Sequence, residues 1–191
     1  MVNMLRTKKF LLVMTTLMGT AVGMAQTDPA AQSTPPTTTN LRVPLLDKEL
    51  IFSDKHFVTM LAQGNAYELA AAQIALAKSS RSEVQTYAQI MVSDHTQMGA
   101  MLQATVQQID PAFPIPNAPS PKHQRMLEEL SAATTNFDVV YKAQMLMSHA
   151  ETLNLLQSFQ MNGYGHPLLK ALAQTAEPVV TMHLQMAQLL P

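Results

Sequence analysis

The sequence predicts an all-α fold in which two helical hairpins are joined by a long proline-rich connection. Three observations predict it. Four long stretches place apolar side chains at spacings of three and four, the period of one helix face. Residues 110–121 hold five prolines in twelve positions, which no helix interior tolerates. No segment alternates apolar and polar residues in the manner of a convincing strand.

The first 25 residues read as an address. Arg6, Lys8 and Lys9 precede an apolar run from Phe10 to Val22, and Gly23-Met24-Ala25 offers small residues before Gln26. This is the three-part secretory signal pattern. The run is shorter than the ~20 residues of a membrane span, so cleavage is expected rather than anchoring. No later stretch reaches that length without charge. Cleavage removes three positive charges and no acid, taking the net charge from -1 to -4, and removes five of the 15 Met. Residues 26–52 read as a flexible tether, rich in Pro, Thr, Ser and Gln up to about Pro44 and too poor in apolar surface to order itself.

A helical domain is expected over residues 53–191. Ser53 is a plausible cap for helix one (54–79), whose stripe runs through Phe57, Leu61, Gly64, Glu68, Ala72 and Leu76. Ser80-Arg81-Ser82-Glu83 reads as a capping box opening helix two, which runs to about Gln108 through Val84, Ala88, Met91, His95, Met98, Leu102 and Val106. The proline segment follows. In an extended form at ~3.1 Å per residue it covers roughly 37 Å, the length of a bundle. A short helix is expected at 122–131. Thr135 to Asp138 reads as a weaker capping box for helix three, with a stripe through Tyr141, Met145, His149, Thr152, Leu156 and Phe159. Gly163 and Gly165 stop it. Pro167 suits the first turn of helix four, whose stripe is Leu168, Leu172, Ala176, Val179, His183, Met186 and Leu190, with a kink expected at Pro178. Four-helix bundles with one long crossover include the ferritin-like folds. A simple up-down bundle is the alternative topology.

Composition narrows function. The absence of Cys excludes disulfides, thiolate ligands and Cys nucleophiles. The near-neutral charge argues against a nucleic-acid partner. Phosphate loops and serine-nucleophile elbows are absent from the sequence. One pattern rises above architecture. Glu68, His95, His149 and His183 each fall on the apolar stripe of a different helix. At 1.5 Å rise per residue they lie within about 11 Å along a crossover bundle. Facing helices can aim carboxylates and imidazoles at one metal. Asp94 and Glu151 are near enough in sequence to orient a ligand or join it. The Glu-x-x-His pairs of di-iron bundles are absent, because Val92, Leu146 and Val180 stand three before the histidines. Imidazole suits several transition metals, Fe, Zn and Cu among them, and Met91, Met98, Met145 and Met186 near the histidines raise Cu(I). Manganese stays within the candidate range. The competing reading is a hydrogen-bonded polar core with methionine as ordinary filler. His56, His123 and His166, near helix ends or loops, receive no role.

The same residues carry a resemblance. Phe57-Val58, Ala62-Gln63-Gly64 with Glu68, Ser82-Glu83-Val84, Tyr87-Ala88-Gln89, Met91 to Thr96, Lys122-His123, Phe137-Asp138 with Tyr141, His149 and His183-Leu184 resemble a bacterial exported family of unknown function. Its members are ferritin-like four-helix bundles often labelled as outer membrane proteins. The resemblance spans roughly residues 53–190. Carried over position by position, it implies Glu68, Asp94, His95, His149 and His183 as the metal site. Where the family has a second Asp-His pair, this chain has Ser148-His149, which puts metal binding here in question.

The expectation is an exported bundle of the periplasm or cell envelope. It is expected to be non-enzymatic, with the mid-bundle residues as candidates to bind a transition metal for sequestration or sensing, and with an envelope protein or a second copy of the chain as candidate partner. Two alternatives stand beside it: a structural or partner-binding module without metal, and a metal-dependent oxidoreductase acting on oxygen or peroxide.

Overall fold

The computed structural model describes residues 49–191. Among the described residues there are five helices and no strand. They are α1 (Phe52–Lys78), α2 (Ser82–Ile109), α3 (Pro121–Ala132), α4 (Phe137–Met161) and α5 (Pro167–Gln188). The segment read as a secretory signal, and the tether up to residue 48, lie outside the described residues. Leu50, counted with the tether, is buried in the core.

The helix ends differ from the expected caps. Ser53 is not the cap of α1. Ile51 holds that position, and Asp54 in the first turn accepts the Ile51 N–H at 3.2 Å. The capping box at Ser80 to Glu83 is not made, since α2 starts at Ser82 with no side-chain cap. Ser79 supplies the turn instead. Its Oγ accepts from Arg81 N at 3.2 Å, and its carbonyl accepts from Gln85 Nε2 at 2.8 Å. The box at Thr135 to Asp138 also fails, because Asp138 pairs with Arg81 at 3.4 Å across the adjoining turn. Where proline takes the first helical position, the caps are real. Ser120 caps α3 by accepting from His123 N, and His166 caps α5 by accepting from Leu168 N. The α5 helix continues through Pro178.

Packing follows the stripes. The α1 helix lies along α2, and α4 along α5; α1 then packs on α4, α2 on α5, and α3 on α1 and α4. The helices joined by the proline-rich segment and α3, α2 and α4, are not among the extensively packed pairs. On α5 the buried face runs through Leu169, Leu172, Ala173, Ala176, Val180 and Ala187, one residue off the predicted stripe at Leu168 and Val179. Gly165 is needed where it stands: a Cβ there would lie 2.9 Å from Phe159 Cζ, and the Phe159 ring stacks on Phe57 at 3.9 Å.

Two apolar clusters form the core. One gathers Tyr67, Tyr87, Met91, Leu130, Tyr141 and Met145 with their neighbours. The other gathers Phe57, Val58, Leu102, Val106, Leu156 and Leu169 with theirs. On α2, α4 and α5 the stripe histidine falls between the members of the two clusters, and on α1 Glu68 stands at their boundary. A polar layer therefore divides the core.

Candidate metal centre

Each long helix contributes one side chain to this layer. Glu68, His95, His149 and His183 are at most 2% exposed. One ring nitrogen of each histidine lies within 4.8 Å of one from each of the others. The rings are 5.4 to 6.0 Å apart between centroids. The rings thus meet more closely than the ~11 Å axial spread inferred from helix rise.

Hydrogen-bond partners fix which nitrogen of each ring carries the proton. His95 Nδ1 lies 2.9 Å from Asn65 Oδ1 and 3.4 Å from Glu68 Oε2. Both neighbours are acceptors, so Nδ1 is the N–H and Nε2 holds the lone pair. His149 Nδ1 lies 2.8 Å from the Met145 carbonyl and 3.4 Å from Glu68 Oε1, which assigns it the same way. His183 Nε2 lies 2.9 Å from Asp94 Oδ2, so its lone pair is on Nδ1. The three remaining nitrogens, His95 Nε2, His149 Nε2 and His183 Nδ1, are buried and have no partner. An unsatisfied buried acceptor costs roughly 1–3 kcal/mol, and here three occur in one layer. Each is a lone pair open to a further partner.

Electrostatics points the same way. Burial pushes the His95 ring down to about 4, against the pull of Glu68. Burial likewise lowers His183, although its bond to Asp94 opposes this. Burial would raise the Glu68 carboxyl, but His149, His95 and the Ser148 hydrogen bond together hold it below the ordinary carboxylate value. The carboxylate thus favours positive charge beside it, while burial denies that charge to the His95 and His183 rings.

The predicted residues do not all arrive in the same role. His95, His149 and His183 each bring one ring nitrogen within reach of a common ion. Glu68 lies 3.4 Å from Nδ1 of two rings and accepts its hydrogen bond from Ser148. Asp94, 30% exposed at its side chain, reaches across to α5 and holds His183 rather than its sequence neighbour. Glu151 stays away: it is exposed and paired with Lys122 at 2.5 and 2.7 Å. Met91 and Met145 pack in an apolar cluster with Met186 against it, and Met98 lines a cavity beside His95. That cavity, about 30 Å³, is lined by Asn65, Glu68, His95 and Thr152 among apolar side chains. His123 and His166, given no role from sequence, are both buried.

Two contributors were missed. Asn65 holds His95, and its spacing of three before Glu68 was the available signal. Ser148 Oγ donates to Glu68 Oε1 at 2.7 Å, so the departure from an Asp-His pair supplies a donor where a carboxylate would repel Glu68.

A family model described as "Domain of unknown function (DUF4142)" matches residues 44–190. No match is found among curated proteins or among solved structures.

Proposed function

The chain belongs to the domain-of-unknown-function family DUF4142, and from that premise we propose that it is a metal-binding helical bundle, with His95, His149 and His183 as ligands. The observation that carries this reading is the set of three buried, unpartnered imidazole nitrogens, each on a ring whose other nitrogen is held by an acceptor. That is the arrangement in which outer partners fix the tautomer and raise ligand basicity. Glu68 and Asp94 act from behind the rings, and Glu68 supplies the neutralising charge. Three nitrogen donors with no carboxylate among them suit Fe, Cu or Zn better than the harder Mn, Mg or Ca.

The wider reading is a ferritin-like four-helix bundle with one crossover, exported to the periplasm or cell envelope. Its support is the packing of α1 on α4 and α2 on α5, and the signal pattern of residues 1–25. Among the described residues no helix is long and apolar enough to cross a membrane. Sequestration or sensing needs nothing beyond the site itself. The oxidoreductase reading rests on the cavity beside His95, which has room for about two waters and so for oxygen or peroxide.

Metal analysis of protein purified from its native compartment tests the proposal. The expected result is about one Fe, Cu or Zn per chain, lost in His95→Ala and His149→Ala. Metal-free protein whose melting is unchanged by added Fe, Cu or Zn would refute it. Peroxide consumption by the iron-loaded protein would separate catalysis from storage.

A further inference from the structure

We infer that the metal reaches the three imidazoles from one side of the bundle, between α1, α3 and α4, through a chamber whose polar side chains bind it in transit. This rests on the metal-binding reading above. A chamber of about 100 Å³ lies there, lined by Gly64, His123, Ser148 and Thr152, with Lys122 and Glu151 also on its wall. Ser148 is one hydrogen bond from the buried site, through its contact with Glu68. Thr152 also lines the inner cavity that borders Glu68 and His95. Thr152 therefore stands between the chamber and that inner cavity, and Ser148 between the chamber and Glu68.

The lining has the chemistry of a transient cation site. His123 is 7% exposed, and its Nδ1 is buried without a partner. Burial and the neighbouring Lys122 push its pKa down, which keeps the ring neutral. Imidazole, hydroxyl and carboxylate are donors for a divalent transition ion. Glu151 is occupied by the Lys122 ammonium, which lies against both its oxygens. Both side chains are about half exposed, and such a solvent-screened pair holds weakly. An arriving divalent cation can displace it.

Gly64 gives independent support. A glycine inside a helix is destabilising relative to alanine. Packing does not require it, since a Cβ would meet nothing closer than Thr152 Oγ1 at 3.9 Å. Its bare backbone leaves the chamber floor open.

The test is stopped-flow loading of the metal-free full-length protein with Co(II), followed by its visible absorption. Glu151→Gln and Gly64→Leu should each slow association and dissociation about tenfold. Because a route sets rates in both directions, Kd should stay within twofold. Ala66→Leu, in the groove between α1 and α2, should load like the wild type. Unchanged rates in both chamber variants overturn the route, as does slowing in Ala66→Leu alone. If Gly64→Leu misfolds by circular dichroism, the surface variant Glu151→Gln decides. A wild type that binds no Co(II) brings down the metal-binding reading itself, a different failure from a binding protein with unaltered rates.

Discussion

Asn65 shows how an uncharged side chain can fix the tautomer of a buried imidazole. Its Oδ1 takes the His95 Nδ1 proton, which leaves Nε2 as the lone-pair donor. Gly99 on α2 makes room for it: a Cβ there would stand 3.0 Å from Asn65 Nδ2. Removing an outer partner of this kind typically costs 10–100-fold in metal affinity. Asn65→Ala should therefore weaken Zn(II) binding by about that factor in a chelator competition, with the circular dichroism of the fold unchanged. Affinity equal to wild type would mean that Glu68, 3.4 Å from the same nitrogen, suffices alone. The histidines were legible in the sequence because each falls in phase with an apolar stripe. Asn65 was not, because nothing in a one-dimensional pattern says which neutral residue a ring on another helix will meet.

At the scale of elements, helix ends decide how the hairpins meet. Asp54 is 1% exposed and accepts from Ile51 N at 3.2 Å and from His166 N at 2.9 Å. It ties the start of α1 to the start of α5. Asp54→Ala leaves two backbone donors without their acceptor, at a cost of about 2–3 kcal/mol. For a chain of this size the melting temperature should fall by roughly 5–10 °C. Calorimetry of the metal-free variant checks this, and a drop of a degree or less would show that water replaces the carboxylate. The box read from sequence at Thr135 to Asp138 fails for the same reason that Asp54 succeeds. A polar side chain near a helix end takes the best partner that tertiary packing offers, and for Asp138 that partner is Arg81. The helix bodies were predictable to within about two residues because periodicity is local.

Across the whole molecule, the polar layer makes stability depend on pH. The His95 ring titrates at about 4 when folded, against an ordinary value of 6.5. Above 6.5 it is neutral in both states and adds no pH dependence. Between 6.5 and 4 the unfolded chain binds a proton that the native state refuses, so stability falls as pH falls. At 1.36 kcal/mol per unit the full loss is roughly 3 kcal/mol. His183, lowered as well, acts in the same direction. Urea unfolding of the metal-free protein should give a lower midpoint at pH 5.0 than at pH 7.5, and His95→Gln should remove part of that difference. Equal midpoints at the two pH values would place the rings in contact with water.

The sequence by itself determined the all-helical class, the four long amphipathic segments, the proline-rich break and the phase of Glu68, His95, His149 and His183. Those properties follow from the identity and spacing of neighbours along the chain. Tertiary structure alone decided that Asp94 serves His183 on α5, that Ser148 and Glu68 pair, that Glu151 stays at the surface, and that three ring nitrogens are left buried without partners. Each of these depends on contacts between helices, where a rotation of a few tens of degrees changes every partner while the apolar pattern stays the same.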